Sequence, residues 1–131
     1  MRLLLDTHVW LWAAIEPERL PERTRALLVD ADTEVLVSVA SVWEAAIKEN
    51  LGKLKLPDTV ERLFELSRTE GQIRALPIDA LHAVAAAQLP MVHRDPFDRM
   101  LVAQARLEGL TLVTADSAVR EYGGEIEWVG P

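Results

Sequence analysis

Cysteine is absent from this chain of 131 residues. That excludes disulfides and thiolate metal ligation, and it says nothing about compartment. Long apolar runs are missing too: nothing approaches the roughly 18 uninterrupted apolar residues of a membrane-spanning helix. The apolar start Leu3-Leu4-Leu5 is broken by Asp6 and His8 before a signal-peptide core can form, so a cytoplasmic location is the expectation. Positive charge is in short supply, with 14 Lys and Arg against 21 Asp and Glu and a formal charge of −7. General nucleic-acid binders carry a basic surface that releases counterions from phosphates, so this balance argues against one. An enzyme acting on nucleic acid is still compatible if the acids gather at a metal site and the bases line its rim. Lys48, Lys53, Lys55, Arg94 and Arg99 are the candidates for that rim.

What the chain does have is apolar residues, half of the total, which excludes disorder. No repeat, low-complexity tract or linker divides it, so residues 1–131 are expected to form one domain. Residues 2–5 form a short apolar run of the kind found in buried parallel strands. Strands are also predicted at Glu34–Val39, Ile73–Leu76, Thr111–Thr114 and Ile126–Val129. Helices are predicted at Thr7–Ile15, Glu22–Ala31, from a Ser41 cap to Asn50, and from Asp58 to Gly71. Three more follow, at Asp79–Gln88, Pro96–Glu108 (with a buried stripe of Met100, Leu101, Ala103 and Leu107) and Asp116–Tyr122. Strands alternating with helices indicate an α/β fold with a parallel sheet covered on both faces.

Four acids fall where a strand gives way to a helix or where a helix begins: Asp6, Glu44, Asp98 and Asp116. In an open α/β sheet, ligands bind in the crevice beyond the carboxyl ends of the strands. Each acid also has a structural explanation. Asp6 and Asp116 suit helix N-caps, Ser41 with Glu44 fits a Ser-x-x-Glu capping box, and Asp95 with Asp98 around Pro96 resembles another. Two observations favour joint action. Ser, Thr or Asn would cap as well, yet an acid stands at all four positions, and each has apolar neighbours that penalise an uncompensated charge. Hard oxygen donors without cysteine suit Mg²⁺, or Mn²⁺, better than zinc.

The segments Leu4-Leu5-Asp6-Thr7-His8-Val9-Trp10, Ser41-Val42-Trp43-Glu44-Ala45-Ala46-Ile47-Lys48, His93-Arg94-Asp95-Pro96-Phe97-Asp98-Arg99-Met100-Leu101 and Thr111-Leu112-Val113-Thr114-Ala115-Asp116 resemble the motifs of PIN-domain ribonucleases. The similarity is greatest to the VapC-like toxins of bacterial type II toxin–antitoxin pairs, and it runs over essentially the whole chain. Val119 departs from the Phe common in related sequences, while Tyr122 is retained. The resemblance implies a PIN-like three-layer α/β/α sandwich with a short, mainly parallel sheet. It implies Mg²⁺-dependent cleavage of RNA, a homodimer, and inhibition by a cognate antitoxin. It assigns Asp6, Glu44, Asp98 and Asp116 to an acidic metal-binding cluster, Asp6 and Asp98 as direct ligands and the other two closing the site or holding metal-bound water.

Thr7 and Thr114 flank acids and can bond a carboxylate, a water or a substrate group, or serve ordinary capping and strand formation. Arg94 and Arg99 bracket Asp98, either to clamp a phosphate or to balance the neighbouring acids. Lys48 can guide RNA or simply end a solvated helix. His8 and His93 have phosphate contact and a structural role open to them, and His82 reads as a packing residue. Trp10, Trp12, Trp43 and Trp128 read as core or dimer contacts, with Trp12 the one to watch for stacking on a base. Two other functions compete. A phospho-accepting receiver domain would need an adjacent acidic pair after the first strand and a lysine after the last, and neither is present. A non-catalytic α/β binding module could use its acidic face to grip a basic partner, as the charge of −7 would suit.

Overall fold

The strands β1 (Arg2–Leu5), β2 (Glu34–Ser38), β3 (Arg74–Leu76), β4 (Thr111–Thr114) and β5 (Ile126–Trp128) form one sheet in the order β3-β2-β1-β4-β5. Every pairing in it is parallel. This computed structural model describes residues 1–131. Seven α-helices cover the sheet: α1 (Thr7–Ile15), α2 (Glu22–Val29), α3 (Val39–Asn50), α4 (Val60–Thr69), α5 (Ala80–Gln88), α6 (Pro96–Glu108) and α7 (Ser117–Glu121). No helix is long and apolar enough to cross a membrane.

Side chains alternate across a strand, so one run of leucines supplies two cores. Leu3 and Leu5, with Val35, Val37 and Val113, face a layer built from α1, α3 and α4, to which Leu27 and Leu28 of α2 add partly buried contacts. Leu4, Leu36, Leu76 and Leu112 face the other way, against Leu101, Val102 and Ala105 of α6 and Val119 of α7. The result is a three-layer α/β/α sandwich with a fully parallel sheet. A strand buried on both faces has no polar side to show, which is why β1 reads as unbroken leucine.

The strand order places the site. From β1 the chain moves to β2 and β3 on one side, then returns to β4 on the other side of β1. The connections leaving the carboxyl ends of β1 and β4 therefore diverge and open a crevice between them. Asp6 follows β1 directly, and Asp116 lies two residues beyond the end of β4.

The structure departs from the sequence reading in three instructive places. Ser41 does not cap α3: β2 passes into the helix without a loop, and Ser38 is the cap, its Oγ accepting from the Ala40 N–H at 3.0 Å. Ser41 lies inside the helix with its hydroxyl buried and unpartnered. Helix α2 stops at Val29 because Asp30 turns the chain, its Oδ1 accepting from the Asp32 N–H at 2.8 Å. Leu107 is exposed, since the face of α6 that meets the sheet carries Leu101, Val102 and Ala105. Helix α6 ends where expected, at Gly109 in the left-handed region with φ of 67°.

The two tryptophans of α1 have different surroundings. Trp10 is fully buried, donates from Nε1 to Ser67 Oγ at 3.0 Å and meets Phe64 edge-on at 5.9 Å. Trp12 is partly exposed and lies under the Arg19 guanidinium, 4.4 Å from its ring centroid. Trp10→Ala should therefore destabilise the protein by about 3–5 kcal/mol, and Trp12→Ala by about 1 kcal/mol. Urea unfolding of both variants against the parent measures the contrast, and equal losses would contradict this account of the core.

Candidate metal centre

Asp6 is the N-cap of α1, and its two oxygens have separate tasks. Oδ1 accepts from the Val9 N–H at 2.8 Å, which is the capping bond. Oδ2 accepts from the Thr114 hydroxyl at 2.6 Å, tying the end of β1 to the end of β4. Burial pushes the Asp6 carboxyl above its ordinary range, these two hydrogen bonds pull it down, and Asp116 pushes it up again.

Asp116 repeats the pattern at the start of α7. Its Oδ1 accepts from the Ala118 N–H at 2.8 Å, while its own N–H donates to Thr114 Oγ1 at 3.0 Å. Oδ2 is turned toward His93 Nε2 at 3.7 Å. Glu44, buried on α3, accepts from the Thr7 hydroxyl at 2.6 Å on Oε1 and from the Lys48 ammonium at 2.8 Å on Oε2. That partnership raises the Lys48 pKa, with Asp95 and Asp98 adding to the effect.

Asp98 sits in the first turn of α6, with Pro96 at the start of the helix and Asp95 as the cap. Asp95 Oδ1 accepts from the Phe97 N–H at 2.8 Å, and the Asp98 side chain bonds elsewhere, to His93 Nε2 at 2.9 Å. Burial, then the charges of Asp95, Glu44 and Asp116, push the Asp98 carboxyl up to about 7, with His93 pulling the other way. Asp98 thus lies within electrostatic reach of Glu44 and Asp116, and Asp116 within reach of Asp6. Ligand atoms of His93, Asp98 and Asp116 lie within 4.8 Å of one another.

Other candidates fare differently. Arg99 is no phosphate clamp: it is buried, and its guanidinium donates to the carbonyls of Ala86, Leu89 and Pro90 at 2.9–3.0 Å and to the Tyr122 hydroxyl at 3.2 Å. Thr7 and Thr114 are buried and give their hydroxyl protons to acids, so they orient carboxylates and have no free surface for a substrate. Lys48 is engaged by Glu44, while Arg94 is exposed and forms no ion pair. Both cations border a shallow depression of about 400 Å³ with Glu44, Asp95 and Phe97. Trp43, expected in the core or at a contact between copies, is 63% exposed and edge-on to Phe97 at 5.4 Å. His8 is exposed and close enough to Asp6 to lower its pKa. His82 is a packing residue, its Nδ1 accepting from the Asp79 N–H and its Nε2 paired with Glu108. His93 is the residue the sequence undervalued: its only signal was a position five before Asp98, in a loop whose path the sequence does not reveal.

Hard carboxylate oxygens converging with one imidazole suit a six-coordinate divalent cation such as Mg²⁺ or Mn²⁺. The raised Asp98 carboxyl points the same way, because a nearby cation offsets the repulsion and desolvation that raise it.

The comparisons agree with this architecture. The PIN domain profile matches residues 3–125. Ribonuclease VapC22 of Mycobacterium tuberculosis is 32% identical over 121 residues, which cover 92% of this chain and 91% of that one. The chain belongs to the PIN-domain family. Among solved structures, VapBC2 of Rickettsia felis bound to a DNA fragment from its promoter superposes with a TM-score of 0.72 at 14% identity, covering 98% of this chain and 99% of that one. FitAcB of Neisseria gonorrhoeae gives 0.61 at 23% identity, with 95% of each chain covered. At these identities the superpositions speak for the fold alone.

The strain at Asp98 has a measurable consequence. Its folded-state pKa lies above the unfolded value of 3.8, so the folded chain binds the extra proton and stability falls as pH rises from about 4 through about 7. With divalent cations chelated, Asp98→Asn should be more stable than the parent by about 1–3 kcal/mol at pH 8. The difference should shrink toward zero near pH 4. Denaturation midpoints for the two proteins across that range test it, and a pH-independent difference would rule out Asp98 as the strained group.

Proposed function

We propose that this chain is a metal-dependent endoribonuclease that serves as the toxin of a toxin–antitoxin pair, with Mg²⁺ or Mn²⁺ as cofactor. The observation that supports this reading is the cluster of Asp98, Asp116 and His93, with ligand atoms within 4.8 Å of one another and with Glu44 and Asp6 in electrostatic reach of it, in a chain 32% identical to a ribonuclease. Asp6 and Asp98 are assigned as the principal cation ligands, with Glu44 and Asp116 completing the cluster. A divalent cation bound there supplies the positive charge that acidifies water and offsets charge building on a phosphoryl oxygen.

The chain's own residues do the rest. Thr114 and Val9 fix the Asp6 carboxylate, and Thr7 and Lys48 fix Glu44, so the acids meet the substrate already oriented. In this reading Arg94, unpaired at the rim, holds an RNA phosphate, with Lys48 beside it. Residues 1–131 act as one cytoplasmic domain in this reading. The same acids give an antitoxin a place to seat an arginine or lysine, which blocks the site by charge pairing. The competing description, a binding module without catalysis, shares that acidic face and differs in having no use for a cation.

Cleavage of structured RNAs separates the two. With Mg²⁺ the parent should cut, and Asp6→Asn, which keeps the cap but loses the charge, should be slower by about 100-fold or more. A parent that neither cuts nor gains thermal stability on adding Mg²⁺ or Mn²⁺ would be the binding module instead.

A homodimer belongs to the same proposal. Leu81 and Val84 stand exposed on α5, with Ile78 just before it, and a second copy would bury them. At micromolar concentration the parent should sediment as a dimer, and the double variant Leu81→Glu, Val84→Glu as a folded monomer. A parent that remains monomeric throughout would refute the pairing.

A further inference from the structure

We infer that His93 is itself a ligand of the divalent cation, which makes the centre a mixed imidazole–carboxylate site that favours Mn²⁺ over Mg²⁺. This deepens the metal-centre reading above and rests on it. The first ground is spacing. His93 Nε2 lies 2.9 Å from Asp98 Oδ2 and 3.7 Å from Asp116 Oδ2, and the three ligand atoms fall within 4.8 Å of one another. Neighbouring donors around a six-coordinate ion with bonds near 2.1 Å are about 3 Å apart, and opposite donors about 4.2 Å. The His93–Asp98 separation matches neighbouring donors, and the 3.7 Å to Asp116 falls between the two values, so a shift of a few tenths of an ångström in a side chain would seat all three on one ion.

The second ground is how the ring is held. The His93 N–H donates to the Tyr122 hydroxyl at 2.9 Å, and its carbonyl accepts from Tyr122 Oη at 3.2 Å and Arg99 Nη1 at 3.3 Å. Arg99 also binds the carbonyls of Leu89 and Pro90, so the segment leading to His93 is fastened by side chains that stand apart from the acids. A metal ligand needs such a supporting shell, because a loosely held donor loses geometry and affinity.

The third ground is contrast with His82. That ring is fully buried, its Nδ1 takes the Asp79 N–H at 3.1 Å, and its Nε2 meets Glu108 at 3.1 Å. Both of its nitrogens are consumed by the fold. The His93 ring meets the protein's side chains through Nε2 alone, at the carboxylates, and Nδ1 has no side-chain or backbone partner, so Nδ1 would hold the ring proton once Nε2 binds a cation. Magnesium takes oxygen donors and gains little from an imidazole, whereas later first-row cations accept nitrogen readily. A histidine at this position therefore shifts the preference of the site toward Mn²⁺.

The test is metal binding by the intact chain, read without turnover. Mn²⁺ titration followed by electron paramagnetic resonance should show tighter binding of Mn²⁺ than of competing Mg²⁺ by about tenfold or more. Pulsed spectra of the Mn²⁺ complex should contain a directly bound nitrogen, sensitive to ¹⁵N labelling of histidine. In His93→Ala that coupling should vanish, and the Mn²⁺ affinity should drop about tenfold while the Mg²⁺ affinity changes by less than about threefold. His8→Ala should keep the nitrogen signal. Mn²⁺ bound with an all-oxygen signature in the parent, or an unchanged Mn²⁺/Mg²⁺ ratio in a folded His93→Ala, would overturn the inference and leave the carboxylate centre standing. Failure of the parent to bind either cation would overturn both. Should His93→Ala fail to fold, the nitrogen coupling in the parent decides by itself.

Discussion

Mutual repulsion among carboxylates is the constraint around which this structure is arranged. Two unit charges about 4 Å apart near a protein surface interact by about 4 kcal/mol, so several acids in one crevice weigh heavily against a marginal stability. The chain answers by dividing each carboxylate. One oxygen of Asp6 and one of Asp116 are given to helix N–H groups, which stabilise negative charge and anchor the side chain to the fold. Their other oxygens face the centre, where Thr114 bonds one acid's side chain and the other's backbone N–H. Glu44 is held by a hydroxyl and an ammonium. Asp98 has the least support, and burial, with the repulsion that remains, raises its carboxyl to about 7.

For Asp6 and Asp116 capping leaves one oxygen turned toward the crevice, so under the proposed reading capping and metal binding are compatible, whereas Glu44 and Asp98 do not cap at all. A Ser or Asn would satisfy the helix end and leave the crevice without its second oxygen. An acid set away from a helix end would reach the crevice without a rigid attachment. Strand order supplies the remaining condition, because only the pair β1 and β4 sends its outgoing connections in opposite directions.

Much of this was legible in the sequence, and the failures have physical causes. The buried strand β1 and the span of α6 from Pro96 to Glu108 follow from rules that act within a few residues. Ser41 misled because a Ser-x-x-Glu pattern does not register that a strand can enter a helix without a loop, and Ser38 offered a hydroxyl three residues sooner. Arg99 misled because adjacency in sequence is not adjacency on a helix. Successive residues point about 100° apart, so the neighbour of Asp98 faces the carbonyls at the end of α5 while Asp98 faces the crevice. His93 was undervalued for the opposite reason. Its ring is aimed by a loop whose path depends on Arg99 and Tyr122, contacts separated by up to 29 residues.

Charge then settles how a polyanion can approach at all. Asp98 feels the charges of Glu44, Asp95 and Asp116, Asp6 feels that of Asp116, and the Lys48 at the rim is already paired with Glu44. A phosphodiester chain meets a repulsive field there unless positive charge is added, and the overall charge of −7 deepens the repulsion at long range. Arg94 alone does not reverse that sign. Under the proposed reading, a divalent cation is therefore required for binding as well as for chemistry, and raising Mg²⁺ or Mn²⁺ should lower the KM for RNA as well as raise kcat. Under the same reading, a basic antitoxin side chain would exploit this field from the other direction. Inhibition would then need no shape mimicry of RNA, because the acids that would repel the substrate would attract an arginine or a lysine.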